Sequence, residues 1–233
     1  MIPKIIHYCW FGGSPKPKLA QKCIASWKKF CPGWQIIEWN ESNFDLNRCP
    51  AYVRQAHDAK KYAFTADYAR LWVLYEMGGF YMDTDVELLR PLEGFCRDQG
   101  VIGFENDGFV NSGQLLAAEA GHPTIREMMA RYEGISFYRE DGSMHLLGCP
   151  HVNTGVLVNH GLQKNGKEQT VAGFHVYPAD WFNPLDSTTG ALKKTKNTVS
   201  VHWYSMSWIP EWKRVRVKIL RKIRGLLSRL RGS

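Results

Sequence analysis

Apolar and polar positions along this 233-residue chain change period several times, and each change predicts an element. KIIHYCWFGG, near the start, is a continuous β-branched and aromatic run closed by Gly12 and Gly13. That is the pattern of a buried strand ending where backbone can approach a ligand. Over residues 18–30, Leu19, Cys23, Ile24, Trp27 and Phe30 recur at the spacing of one helical face, and Pro32-Gly33 ends it. WQIIEW is a second strand and residues 40–43 a turn, so strand, helix and strand make one βαβ unit. Residues 50–62 predict a helix whose HDAKK stretch is solvated.

The next helix has Thr65 as its N-cap, runs through Met77 and stops at a left-handed Gly78. It feeds GGFYMDTDVELL, in which the apolar residues 80–82 form a strand running into Asp83 and Asp85. Downstream, residues 101–104 predict a strand, GFVNSGQLLAA a second strand or a hairpin, and residues 124–132 an amphipathic helix opened by His122-Pro123. A polar cluster at 151–154 precedes Gly155 and an apolar strand, and VAGFHVY is another strand entering a Pro-bounded loop. NTVSVHWYSMSW alternates: Val199, Val201 and Trp203 share one face, Ser200, His202 and Tyr204 the other. The sum is an α/β domain.

At 44% hydrophobic residues the chain can bury one sizeable core, so one domain is expected over residues 1–210. Six cysteines without CxxC spacing read as reduced and buried, forming neither a zinc site nor a disulfide framework. The start lacks a leader pattern and no window of about 18 apolar residues occurs, so a cytoplasmic location is expected. Charge alters the picture only at the end. The formal net charge is +8, and residues 211–233, with nine Lys or Arg and one acid, account for all of it. There Trp212, Val215, Ile219, Ile223, Leu226, Leu227 and Leu230 recur at helical spacing among basic residues. This is the pattern of a basic amphipathic helix lying on an anionic membrane surface, with a helix packed on the body or on a partner protein as the alternative; interleaved Ile and Leu with no aromatic beyond Trp212 argue against nucleic acid.

The chemistry concentrates at Asp83 and Asp85. On an extended backbone they point the same way, and two half-buried carboxylates side by side repel unless a cation sits between them. A hard divalent metal, Mg²⁺ or Mn²⁺, suits that pair and commonly completes its shell with phosphates. His202 is the candidate third ligand. Asp67 and Arg70, three apart on one face, are either a helix salt bridge or part of the same site. Trp10 is either a core side chain or a platform for a planar ring.

Taken in order, IPKIIHYCWFGG, SWKKFCPGWQIIEWNESNFD, the helix with Asp67 and Arg70, GGFYMDTDVELL and NTVSVHWYSMSW resemble the DxD-containing sugar transferases of glycosyltransferase family 32, of the bacterial surface-polysaccharide type. The resemblance covers residues 1 to about 210 and implies a GT-A-like, Rossmann-type nucleotide-sugar transferase domain, followed here by the basic helix. It further implies a UDP- or GDP-linked donor, a divalent metal, and hexose transfer with retention to a glycan acceptor. With the basic helix, it makes a lipid-linked acceptor the expectation. Carried over, Trp10 would stack on the base, Gly12 and Gly13 would let backbone pass close to it, and Asp67 and Arg70 would hold the donor sugar. Asp83 would contact ribose, sugar or metal. Asp85 would bind the metal bridging the diphosphate, and His202 and Trp208 would lie in a stretch folded over it. The catalytic set is then Asp67, Arg70 and Asp85. DTDV also fits the nucleophile motif of haloacid dehalogenase-like phosphohydrolases, but that motif normally opens a chain; a non-catalytic sugar- or membrane-binding module leaves the aspartate pair without a role.

Overall fold

The computed structural model describes residues 1–105 and 107–205 and, beyond them, residues 212, 215–217, 219–221 and 224. β1 (Ile5–Cys9), α1 (Lys18–Phe30) and β2 (Gln35–Trp39) form the expected βαβ unit, with β2 parallel to β1. Cys23 and Trp27 are fully buried on the inner face of α1, and the Trp27 indole donates to Val86 O at 2.8 Å.

α2 (Ala51–Asp58) is shorter than the pattern predicts, because Lys60 turns the chain with a φ of 56° before α3 (Tyr62–Met77). Thr65 is therefore not a cap. Lys61 holds that position, and Thr65 lies fully buried inside the helix beside buried Phe64; burial outweighs its capping preference. Gly78 ends α3 with φ 65° and ψ −171°, a positive-φ stop that passes straight into extended backbone instead of a left-handed helical turn. A Cβ on Gly79 would lie 2.8 Å from Ile5 O and 2.9 Å from His7 Nε2. This glycine pair thus lets β3 (Gly79–Tyr81) enter beside β1, parallel to it.

The remaining elements are β4 (Val86–Leu88), β5 (Gly100–Gly103), β6 (Leu116–Ala118), α4 (Pro123–Ala130), α5 (Cys149–Asn159), β7 (Gln169–Val171), β8 (Phe174–Tyr177), α6 (Ala179–Phe182) and β9 (Ser200–His202). GFVNSGQLLAA resolves into an antiparallel bridge from Val110 to Phe104 followed by β6. The apolar stretch after residues 151–154 is not a strand: it is α5, with Pro150 in its first turn. Val152, Asn153, Val156 and Leu157 are all buried, and a segment covered by apolar and polar residues alike shows no one-sided stripe to separate helix from strand.

The seven-stranded sheet has the order β2-β1-β3-β6-β5-β8-β7. β1, β2, β3, β5 and β8 run one way, and β6 and β7 run against them. One apolar layer joins α2, α3, α4 and α5 to one face; the other joins α1 and the two-stranded β4–β9 ribbon to the opposite face. All six cysteines are free and five are buried. Among the described residues no helix is long and apolar enough to cross a membrane.

Candidate functional site

Parallel strands bring their carboxyl ends to one edge, where open α/β sheets bind ligands. Here that edge collects Trp10 after β1, Asp83 after β3 and Glu105 after β5, while residues 111–113 enter β6 from the same side.

The first cluster is anchored on α3. Arg70 Nη2 lies 3.1 Å from both Asp67 Oδ1 and Asp83 Oδ1. Its Nη1 donates to Ser112 Oγ at 3.1 Å and to Cys149 Sγ at 3.0 Å, and the guanidinium stands 4.8 Å from the Tyr81 ring centroid. The three-residue spacing on α3 does more than make a helix salt bridge: it aims both side chains at the carboxylate beyond β3. Burial pushes the Asp67 carboxyl up, against Arg70 and the backbone N–H of Cys149, which opens α5 and donates to Asp67 Oδ2 at 3.2 Å. Burial also opposes charge on Arg70, but Asp83 and its other neighbours outweigh it and hold the guanidinium charged. Asp83 is oriented further by Tyr81 OH, which donates at 3.0 Å, and by its own N–H on Gly113 O at 2.8 Å. A side chain at Gly113 would collide with Asp83 Oδ2, so glycine there leaves room for the carboxylate.

The second cluster sits on the ribbon. Asp83 and Asp85 are not successive residues of one strand: β3 ends at Tyr81, and a turn closed by Val86 N–H on Asp83 O at 3.0 Å separates the aspartates before β4. They converge all the same, because β9 pairs with β4 and sets His202 opposite Val86. His202 Nε2 lies 3.2 Å from Asp85 Oδ1, and Ser205 N–H donates to Asp85 Oδ2 at 2.7 Å. Burial pushes Asp85 up, yet His202 and Ser205 together hold it well below the usual carboxylate range. Burial likewise opposes charge on His202, and Asp85 reverses that and raises it.

One ligand atom from each of Asp83, Asp85 and His202 lies within 4.8 Å of the other two. Two carboxylates and one imidazole suit Mg²⁺ or Mn²⁺. With Asp67 and Glu105 alongside, this edge carries more carboxylates than cations among the described residues, an imbalance a divalent ion would relieve.

Trp10 is half-buried against the α1 layer, and its indole N–H donates to Ser14 O at 2.6 Å. Gly12 and Gly13 both take positive φ, and a Cβ on Gly12 would collide with the Tyr62 ring. Trp208 lies outside the described residues. Tyr81, Ser112, Glu105, Cys149 and Tyr204 also line the site, though the sequence pattern does not single them out as site residues. Tyr204 shares the predicted face of His202, and Glu105 directly follows an apolar strand, so both left a signal; Ser112 and Cys149 reach the site only through long-range packing.

Residues 17–105 match the family described as "Glycosyltransferase sugar-binding region containing DXD motif". The match supports a glycosyltransferase family. It includes Asp67, Arg70, Asp83 and Asp85, whereas His202 and Cys149 lie beyond it. The chain is 25% identical over 134 residues to inositol phosphoceramide mannosyltransferase 1 of Schizosaccharomyces pombe, covering 53% of this chain and 40% of that protein. It is 24% identical over 144 residues to inositol phosphoceramide mannosyltransferase 3 of the same organism, covering 58% of this chain and 38% of the relative. It therefore spans well under half the length of these curated relatives. Among solved structures, the PaToxG glycosyltransferase superposes with a TM-score of 0.50 at 19% identity over 68% of each chain. A glycosyltransferase involved in glycosylation of the major capsid of PBCV-1 gives 0.50 at 11% identity, covering 93% of this chain and all of the other. These likenesses show a GT-A-like fold.

Proposed function

We propose that this chain is a metal-dependent, retaining hexosyltransferase that moves a sugar from a UDP- or GDP-linked donor to a glycan acceptor. The observation that carries the reading is the convergence of Asp83, Asp85 and His202 beside the Asp67–Arg70 pair. Breaking a sugar–phosphate bond leaves a diphosphate, so the first requirement is positive charge held where negative charge develops. Arg70, kept charged and immobilised by four polar neighbours, supplies one such group on this chain. Asp83, Asp85 and His202 would hold Mn²⁺ or Mg²⁺, which supplies Lewis-acid neutralisation of the leaving group when bound. Asp67, buried and fixed by Cys149 N–H, orients Arg70 and presents a carboxylate to donor hydroxyls.

The acceptor in this reading is a lipid-linked intermediate of surface-polysaccharide synthesis, reached from the cytoplasmic side of the membrane. The described part of the tail supports it: Trp212 is 64%, Val215 49% and Ile219 52% exposed, while Val217 and Arg221 are half-buried. A helix docked only for stability would turn its Trp, Val and Ile inward; here Trp212, Val215 and Ile219 face outward, as do Arg216, Leu220 and Arg224, which leaves both apolar and basic side chains available to a membrane surface. The S. pombe relatives are named for mannosyl transfer to inositol phosphoceramide, a lipid.

Thermal shift with a panel of nucleotide sugars plus Mn²⁺ tests the donor, since a bound donor raises the melting temperature with its concentration. Slow hydrolysis of the stabilising donor is the expected companion result. Phosphate release from simple phosphomonoesters, with no donor effect, would refute the transferase. Sedimentation with anionic and neutral vesicles, with and without residues 211–233, tests the surface helix: binding that ignores lipid charge or survives truncation refutes it.

A further inference from the structure

Metal-ligating histidines are usually oriented by a hydrogen bond from the second ring nitrogen. His202 has none: its Nδ1 is buried without a partner. The ring is held instead by stacking on Tyr204, with centroids 4.3 Å apart and planes at 27°. Tyr204 itself takes a φ of 48°, a left-handed conformation that costs energy for a bulky residue and persists only where its surroundings enforce it. The surroundings are specific. Its hydroxyl donates to Glu105 Oε1 at 2.7 Å and accepts from Asn183 Nδ2, and Glu105 Oε1 also accepts from Asn111 Nδ2 at 2.8 Å. Asn111 in turn accepts from Gly113 N–H, whose carbonyl holds Asp83 N–H. Tyr204 thus connects the ribbon side of the site to the Asp83 side.

The last contact comes from the basic tail. Arg221 brings its guanidinium carbon to 5.6 Å from the Tyr204 ring centroid, and its Cβ sits beside Gly190. Its Nε is buried and makes no hydrogen bond; the Tyr204 ring is the aromatic face the guanidinium meets, and the Asp186 carboxylate also acts on its charge. We infer that Arg221 and Tyr204 are positioning residues that act through His202, clasping the C-terminal segment onto the metal-binding triad so that metal affinity depends on the tail. This rests on the reading of Asp83, Asp85 and His202 as the metal site.

Mn²⁺ titration of the full chain without nucleotide sugar, following the electron paramagnetic resonance of free Mn²⁺, separates the two. Asp85→Asn is the control for the site and should lose Mn²⁺ binding by at least about tenfold. Tyr204→Leu should weaken Mn²⁺ about tenfold or more, and Arg221→Ala about fivefold, one contact further out. Arg221→Lys keeps the cation and should bind within about twofold of wild type, whereas Tyr204→Phe keeps the stack but releases Glu105 and Asn183 and should lose affinity by less than Tyr204→Leu does. Metal-free melting temperatures of the Arg221 variants should match wild type, which a merely structural role would not allow alongside a loss of affinity. Loss in Asp85→Asn with wild-type Mn²⁺ binding in Arg221→Ala and Tyr204→Leu overturns the clasp and leaves the metal site standing. Wild-type binding in Asp85→Asn overturns both.

Discussion

His7 and His202 are both buried in strands of this domain, and their surroundings shift them in opposite directions. His7, on β1, accepts from Trp39 Nε1 at 3.1 Å through Nδ1 and donates from Nε2 to Gly78 O at 2.9 Å. Both nitrogens are used by the neutral ring, and burial lowers its pKa to about 4. His202, on the ribbon, faces Asp85 and is raised, with Nδ1 left unpartnered. The two site carboxylates differ in how the chain gathers them. Asp67 is pinned by a helix neighbour and a helix N-terminus, whereas Asp85 is gathered by β9 and the backbone of Ser205, more than a hundred residues away. A ring saturated by backbone and core partners serves the framework, whereas a ring drawn toward a carboxylate with its second nitrogen unpartnered marks the site.

The contrast is broken most severely at Asp85. Asp85→Asn removes a ligand charge with little change in shape and is expected to cut metal-dependent transfer by about 10³-fold, equivalent to several kcal/mol of charge stabilisation. Turnover measured against Mn²⁺ concentration checks this; full activity at limiting Mn²⁺ would contradict it.

On the framework side, His7 makes stability pH-dependent. Its folded pKa lies below the unfolded value of 6.5, so its contribution is fully present above pH 6.5 and lost as pH falls through about 4. The gap corresponds to about 3 kcal/mol. Denaturant unfolding at pH 7.5, 5.5 and 4.5 should show wild type losing stability that His7→Gln does not lose; parallel curves would mean that His7 is not held neutral.

Arg70→Lys tests whether the α3 cluster belongs to the site or only to the framework. Lysine retains the charge but cannot span Asp67, Asp83, Ser112 and Cys149 with one planar fork. Turnover should fall roughly 10- to 100-fold while the melting temperature moves by a few degrees at most. Wild-type turnover would reduce the pair to a salt bridge.

Thr65 gives the smallest effect and the sharpest sign. Its hydroxyl is buried within α3 without a partner, so Thr65→Val should be neutral or stabilising by up to about 1 kcal/mol. An N-cap would instead lose about 1 kcal/mol on the same substitution.

Wherever an element has one buried face or one special residue, its pattern can be read along the chain. The α1 stripe, the Gly78-Gly79 stop, the β1–α1–β2 unit, the Asp67–Arg70 spacing and the alternation that exposes His202 to the site are local signals, fixed by helical and strand periods. The N-terminus of α3 and the helical nature of α5 escape the local pattern for one reason: burial of Phe64, Thr65 and the 152–157 stretch comes from other elements, which local spacing does not encode. The aspartate pair shows both sides. Its acidic chemistry is legible in DTD, but extended alternation is not what brings the carboxylates together; a turn and the pairing of β4 with β9 do that. Glu105, Ser112, Cys149 and Tyr204 join the site because five strands present their ends at one edge and the chain folds back over it. Contacts across 40 to 120 residues are chosen by packing and hydrogen-bond satisfaction in three dimensions, and no period along the chain records them.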